Sequence, residues 1–130
     1  MRRTILLVYA QPEPRSLTRG FAAAAVETLT TQGHQALQSD LYAMRWKAVL
    51  DADDFPARAD PGRLSFIDES GHAYANGAQT PDVAEEQRKL LTADAVIFIF
   101  PLWWYGVPAI LNGWFERVYA YGFGYGYQNQ

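Results

Sequence analysis

The 130-residue sequence contains no cysteine. This absence excludes disulfide bonds, thiolate catalysis and cysteine-ligated metal centres. Histidine is almost as scarce, and His34 and His72 do not lie at the spacing of metal ligands, so we expect no metal site. No apolar run approaches the roughly 20 residues that a membrane-spanning helix requires. The sequence therefore predicts a soluble protein of the cytoplasm.

Positive charge is also in short supply, with 11 Lys and Arg against 14 Asp and Glu and a net charge of −3. A nucleic-acid-binding surface usually needs a basic face, so we expect no nucleic-acid partner. Two phosphate-binding patterns are missing as well. The absence of G-x-G-x-x-G disfavours a nicotinamide-binding Rossmann site, and the absence of G-x-x-x-x-G-K-[ST] argues against a nucleotide triphosphatase.

Apolar and aromatic residues are abundant, at 49% and 15% of the chain. Residues 1–130 are enough for one domain with a real core, but not for two. The chain is organised around residues 95–100, an apolar run that predicts a strand buried on both faces. Pro101 ends this strand because it has no N–H to donate to a central ladder.

A short aromatic loop, residues 103–106, follows this strand and leads to Val107-Pro108, which favours a helix start. Apolar residues at helical spacing predict one buried face for that helix. These residues are Val107, Ile110, Leu111, Trp114, Phe115 and Val118. In open α/β sheets ligands bind at such loops, beyond the carboxyl ends of the strands. An aromatic loop at this position suits a flat, conjugated ligand, although the same rings could belong to a core or an interface.

The N-terminal part predicts strand, helix, strand, which begins a parallel doubly wound sheet. The strands are residues 4–10 and 35–41, and a helix capped by Ser16 lies between them. The predicted inner face of this helix is Leu17, Phe21, Ala24, Ala25, Thr28 and Leu29. Residues 43–79 show little periodicity and predict a functional excursion or short helices. Thr80-Pro81-Asp82 then predicts the start of another helix, continuing to about Thr92.

The first strand–helix turn is a candidate phosphate cradle. The backbone N–H groups of Ser16, Leu17 and Thr18 would point outward at a helix N-terminus, where the dipole favours anions. The alternative is that Ser16 serves only as an N-cap. The tail alternates glycine with Phe123, Tyr125 and Tyr127, which either admits a ligand or a partner or is merely a mobile end.

Taken together, these segments resemble the NAD(P)H:quinone oxidoreductases of the DT-diaphorase type. The main likeness is the run FPLWWYGVPAILNGWFERV, residues 100–118. Further likenesses are SDLYAM at residues 39–44, TPDV at residues 80–83 and FGYGY at residues 123–127. The resemblance implies a flavodoxin-like fold, bound FAD, and a homodimer with its sites at the interface. It also implies hydride transfer from NAD(P)H to the flavin and two-electron reduction of a quinone.

Site residues carried over from the resemblance fall into three groups. Ser16, Leu17 and Thr18 would hold the FAD pyrophosphate, and Gln11 stands where many relatives have histidine. The flavin ring would be bordered by Pro101, Leu102, Trp103, Trp104 and Tyr105. Tyr105, with Tyr125 and Tyr127 reaching into the partner subunit, would line the substrate pocket. No catalytic residue is named, and FMN in place of FAD stays open.

The family sheet has five parallel strands in the order 2-1-3-4-5, and only three can be identified in this chain. The resemblance places groups that stabilise charge at flavin N1 and O2 on the next strand, which is missing. Two alternatives to an enzyme follow: a non-catalytic flavin-binding or regulatory module, and a truncated fragment. The third strand should also be an exposed apolar edge that aggregates or pairs with another chain.

Overall fold

A three-stranded parallel sheet organises the computed structural model, which describes residues 1–127. The last three residues of the aromatic tail, 128–130, lie outside the described part. The strands are β1 (Thr4–Tyr9), β2 (Gln35–Asp40) and β3 (Ala95–Ile99), in the order β2-β1-β3. Because β1 is paired on both sides, it supplies the most buried residues of the sheet. The three predicted strands and their parallel direction are confirmed.

Helix α1 (Leu17–Thr31) covers one face of the sheet. It begins at Ser16, whose Oγ accepts the Arg19 N–H at 3.2 Å, so the predicted N-cap is confirmed. Only Ala25 and Leu29 of the six residues of the predicted inner face pack on the sheet. The residues that pack on the sheet are Ala22, Ala25, Val26 and Leu29. Small alanines let the helix approach the strands closely, whereas Leu17, Phe21, Ala24 and Thr28 are exposed along one flank.

Residues 43–79 contain a short 3-10 helix (Ala52–Asp54) and helix α2 (Phe66–Asn76), which confirms that short helices are hidden there. Ser65 caps α2, and Gly77 ends it with a φ of 62° in the left-handed region. The buried Glu69 carboxylate accepts N–H groups of Ala59 and Asp60 at 2.9 and 3.0 Å. This single side chain ties the preceding loop to the helix.

Helices α3 (Pro81–Thr92) and α4 (Ala109–Val118) cover the other face. The predicted helix start at Thr80 is confirmed, although its side chain makes no capping hydrogen bond. All six residues of the predicted α4 face pack in the core beneath it. Gly113 is required at that position, because a Cβ there would overlap the backbone of Ala48.

Two buried networks of charged groups tie these helices to the rest of the chain. The Glu86 carboxylate, on α3, accepts Ser39 Oγ at 2.6 Å and the Trp114 indole N–H at 2.9 Å. Arg117, on α4, donates its Nε–H to Asp54 at 2.6 Å. A buried carboxylate or guanidinium left without its partner would be strongly destabilising, so these pairs fix how the helices pack.

β3 differs from the expectation of a strand buried on both faces. None of its residues is buried, and Ile97 keeps 39% of its surface accessible. The reason is that β3 is an edge strand, paired with β1 alone among the described residues. The expected exposed apolar edge is therefore present. Among residues 1–127, no helix is long and apolar enough to cross a membrane, and no cluster of three potential metal ligands occurs.

Candidate functional site

The carboxyl ends of β1 and β3 meet at one edge of the sheet. The Ala10 N–H donates to the Ile99 carbonyl at 3.2 Å, just beyond the paired segments. The chain leaves β1 through Gln11 and leaves β3 through Pro101, so both candidate binding loops start at the same place. The two loops lie together because parallel strands bring their carboxyl ends to one edge of the sheet.

The aromatic loop is a tight turn with Trp104 and Tyr105 at its tip. Trp103 and Gly106 each donate a backbone N–H to the other's carbonyl, at 3.1 and 3.0 Å. Trp104 and Tyr105 have φ values of 52° and 59°. Positive φ at both central residues is the geometry of a type I′ turn, which Asn-Gly normally occupies.

This conformation is strained for two large residues. The left-handed region costs a non-glycine residue about 1–2 kcal/mol. Both side chains are 96% exposed, so packing against the described residues does not offset the free-energy cost of this conformation. Backbone strain combined with full exposure of two aromatic rings makes the tip a candidate ligand-binding site.

The remaining residues of this loop are less prominent. Pro101 is half-buried, and Leu102 is 67% exposed beside the turn. Trp103 is 43% exposed and closes the turn through its backbone. Together with the tip, these side chains form an apolar rim at the carboxyl edge of the sheet.

The N-terminus of α1 forms the polar part of the edge. The amides of Leu17 and Thr18 find no acceptor among residues 1–127 and belong to the first turn, whose N–H groups have no intrahelical partner. Ser16 differs from the expectation, because its amide donates to the Glu13 carbonyl at 3.1 Å. Its hydroxyl proton remains available, while its Oγ lone pair caps the helix.

Charged side chains near this N-terminus are already paired. Arg15 contacts Glu13 at 3.0 Å, and Arg19 is paired with Asp40 at the end of β2. Hydrogen bonds from the Arg15 amide and then from its side chain lower the pKa of Glu13. An anion at this turn would therefore be bound mainly by backbone amides and the helix dipole.

Gln11 holds the loop that precedes α1. Its Oε1 accepts the Glu13 N–H at 3.1 Å, so the side chain acts on its own loop. The burial of Tyr9, just before it, raises the pKa of that phenol, and the negative Asp40 adds to the shift while Arg19 opposes it. The phenol therefore stays protonated, with its O–H on Gln38 at 3.1 Å.

Tyr125 and Tyr127 lie away from the aromatic turn. The turn precedes α4, whereas the tail follows it, and a ten-residue helix is about 15 Å long. Tyr125 is 51% exposed and borders a shallow groove with Phe66, Phe115 and Tyr119. Tyr127 is 93% exposed. The structure does not bring these tyrosines together with Tyr105.

The groove beside Tyr125 was missed by sequence reasoning. Phe115 and Tyr119 had been noted only as part of a helical face or tail, yet their rings stack at 5.7 Å between centroids. The signal available was their i, i+4 spacing, which places two aromatic rings one turn apart on a helix. Phe66 lies in residues 43–79, where the sequence shows little apolar periodicity.

This arrangement agrees with comparisons to known proteins. Residues 3–130 match the family model described as Flavodoxin-like fold, and the chain belongs to that family. It is 51% identical over 122 residues to a ribosyldihydronicotinamide dehydrogenase-like protein of Penicillium crustosum, and 44% identical over 126 residues to the rat NAD(P)H dehydrogenase [quinone] 1. These alignments cover 94% and 96% of this chain but 46% of each relative.

Solved structures show the same relation. A Klebsiella pneumoniae protein assigned to the quinone reductases superposes with a TM-score of 0.88 at 50% identity, over 91% of this chain and 46% of that protein. The NAD(P)H:quinone oxidoreductase of Methanothermobacter marburgensis gives a TM-score of 0.76 at 32% identity, over 98% of this chain and 58% of that protein. The chain thus spans about half the length of the relatives that it matches.

Proposed function

We propose that residues 1–130 form the N-terminal, flavin-binding portion of an NAD(P)H:quinone oxidoreductase of the cytoplasm. The observation that carries this proposal is the strained turn at Trp104 and Tyr105, in a loop that leaves the same edge of the parallel sheet as the loop leading to α1. The relatives named NAD(P)H dehydrogenase [quinone] give the reaction class. The substrates would be NAD(P)H and a quinone.

The residues present fit a flavin. Two exposed aromatic side chains and an apolar rim suit a planar, conjugated ring. The free Leu17 and Thr18 amides and the Ser16 hydroxyl suit a phosphate group at a helix N-terminus. FAD is proposed over FMN because the resemblance is to FAD enzymes.

In this proposal each segment of the chain has a distinct role. The α1 N-terminus holds the phosphates, and Gln11 keeps the approach to that helix in place. Pro101 and Leu102 border the ring, and the tip of the turn excludes water from one side of it. The flavin, when bound, accepts a hydride from NAD(P)H and passes two electrons to the quinone.

A homodimer completes the proposed substrate pocket. Tyr105 precedes α4 and Tyr125 follows it, so we infer that one copy of the chain does not supply both to a single pocket. Tyr125 and Tyr127 of one protomer would instead reach the flavin ring that lies beside Tyr105 of its partner. Nicotinamide and quinone would then stack in turn between the flavin and these rings.

A second candidate function is flavin binding without turnover. It is favoured by the positions of the two histidines, because neither belongs to the loops that follow β1 and β3. His34 accepts the Arg3 N–H at the opposite end of the sheet, and His72 lies on α2. Such a module would bind FAD but would leave a quinone such as menadione unreduced in the presence of NAD(P)H.

The binding proposal is tested by titrating the purified chain with FAD and, separately, with FMN, and following the quenching of flavin fluorescence. We expect saturable binding that favours FAD and weakens at least tenfold in Trp104→Ala. Leu91→Ala, which removes a side chain that is 74% exposed on α3, is the matched control and should bind like the parent chain. Equal binding by all three chains would show that the turn is not the flavin site.

A further inference from the structure

The chain contains two Asn-Gly pairs, Asn76-Gly77 and Asn112-Gly113. An asparagine followed by glycine is especially prone to deamidation, in which the next backbone nitrogen attacks the side-chain amide. Glycine has no Cβ to hinder that attack. The reaction needs no enzyme, so local structure decides which of the two pairs reacts in the folded chain.

The first pair lies at an exposed helix end. Asn76 is the last residue of α2, and Gly77 follows it as the C-cap. Both residues are exposed, and a Cβ built on Gly77 would meet no atom within 4 Å. The Gly77 N–H is shared between the carbonyls of Ala73 and Tyr74, and the contact with Tyr74 is long, at 3.4 Å. The attacking nitrogen is therefore held weakly and surrounded by open space.

The second pair lies inside α4, in the core. Gly113 is buried, and a Cβ built on it would lie 1.9 Å from the Ala48 carbonyl oxygen. The residues on either side of the pair, Leu111 and Trp114, are fully buried. The Asn112 side chain could reach the Gly113 nitrogen only if the middle of α4 opened and exposed these core residues. The packing of α4 therefore protects this pair.

The end of α2 opens at a lower cost in free energy. The Asn76 side-chain amide donates to the His72 carbonyl at 2.8 Å, and its nitrogen lies 3.3 Å from His72 Nδ1. Both contacts are exposed to water, and both must break before the side chain can reach Gly77. Helix ends open locally with a small free energy, whereas core elements open only near the global free energy of unfolding.

We infer that Asn76 deamidates spontaneously in the folded chain and that Asn112 does not. The Gly77 nitrogen forms a bond to Asn76 Cγ and loses its proton to water. The Asn76 Cγ–Nδ2 bond breaks, and the amide nitrogen takes up a proton and leaves as ammonia. Water then opens the resulting succinimide ring at either carbonyl, which gives aspartate or isoaspartate at position 76.

The product changes the end of α2. Its carboxylate cannot donate a hydrogen bond to the His72 carbonyl, as the Asn76 amide does. Its negative charge also lies at the helix C-terminus, where the dipole disfavours anions. Isoaspartate further lengthens the backbone by one carbon atom. We therefore expect the final turn of α2 to loosen after the modification.

The test is to incubate the folded chain at neutral pH in water enriched in the heavy oxygen isotope and to follow both pairs by peptide mass spectrometry. We expect label at Asn76 to accumulate at least tenfold faster than label at Asn112. In guanidinium chloride the two rates should become similar, because neither pair is then structured. Equal rates in the folded chain, or no label at Asn76, would overturn the inference. A tenfold difference that persists in the unfolded chain would also overturn it.

The variant Gly77→Asn tests the attacking residue. Asparagine tolerates the left-handed conformation of a helix C-cap, but its side chain hinders the backbone nitrogen. Deamidation of Asn76 should slow at least tenfold in this variant, and circular dichroism checks that it folds. Leu91→Ala, an exposed change on α3, should leave both rates unchanged. A Gly77→Asn chain that reacts as fast as the parent chain would contradict the proposed site.

The variant Asn76→Asp tests the consequence, because it is one of the two products. Amide hydrogen exchange of residues 73–77 should be at least threefold faster than in the parent chain. Unchanged exchange would show that the modification leaves α2 as it was. Neither measurement uses flavin, so both outcomes are independent of the proposed function.

Discussion

Trp104 and Tyr105 carry the clearest conflict between local preference and observed geometry. Both adopt a left-handed backbone conformation, and both expose almost their whole side chain. Residues in such positions are expected to be replaced by glycine or asparagine unless the rings themselves are needed. The turn therefore lowers the stability of the fold while it exposes two aromatic rings.

Replacing Trp104 with Asn and Tyr105 with Gly should separate these two properties. An Asn-Gly pair fits a type I′ turn without strain, so the free energy of unfolding of the flavin-free chain should rise by about 1–2 kcal/mol. The affinity for FAD should fall at least tenfold, because both rings are lost. Urea denaturation and FAD titration measure the two effects.

Leu91→Ala serves as the control for the double variant, because it removes an exposed side chain away from the turn. It should leave FAD affinity unchanged. A double variant that is no more stable than the parent chain would show that the turn is not strained, and one that keeps its FAD affinity would show that the turn is not part of the site.

The sequence identified the residues of this turn but not their conformation. The apolar run, Pro101 and the following helix start located the loop at the end of β3. No propensity predicts a left-handed Trp-Tyr pair, because these residues disfavour that region. The conformation comes from closure of the turn by Trp103 and Gly106, which is a property of the folded chain.

At the scale of elements, α2 depends on a carboxylate. Hydrogen bonds from the Asp60 and Ala59 amides, with Arg58 nearby, lower the pKa of Glu69 from its ordinary value of 4.5. A lowered folded-state pKa means that the ionised form stabilises the fold. Its contribution is complete above the ordinary value and is lost as the pH falls through the lowered one.

We therefore expect the parent chain to lose stability as the pH falls below 4.5, and Glu69→Gln to lose less over the same interval. At neutral pH the variant should already be less stable, since it lacks the ionised acceptor. Urea denaturation at a series of pH values measures both effects. Glu27→Gln, an exposed change on α1, should follow the parent chain; a parallel pH dependence for Glu69→Gln would contradict this role.

The elements were predicted with unequal success for physical reasons. Continuous apolar runs predicted the strands, and apolar residues at helical spacing predicted α4. α2 does not, because Phe66 and Ile67 are exposed while Glu69 is buried. Its available signals were Ser65 at the start, acids in the first turn and Gly77 at the end.

The predicted face of α1 erred for a related reason. Leu17 and Phe21 are two of the large apolar residues of that helix, and their helical spacing predicted that they face the sheet. In the structure Ala22, Ala25, Val26 and Leu29 face the strands, and Leu17 and Phe21 are exposed. A helix with two apolar surfaces cannot be oriented from its pattern alone.

At the scale of the whole molecule, the described residues form one three-stranded parallel sheet, and the chain spans about half the length of the relatives that it matches. Three parallel strands in the order β2-β1-β3 match half of proteins that include NAD(P)H:quinone oxidoreductases. The proposed flavin site is built at the carboxyl edge of this half, from the α1 N-terminus and the aromatic turn. The central claim is that these residues bind a flavin that takes electrons from NAD(P)H.

The visible absorbance of the purified chain, recorded after FAD loading and again after anaerobic addition of NAD(P)H, tests that claim most directly. The account predicts a yellow protein whose flavin absorbance bleaches on addition of NAD(P)H. Folding is checked on the same sample by circular dichroism. A folded chain that remains colourless and takes up no added FAD would contradict the account.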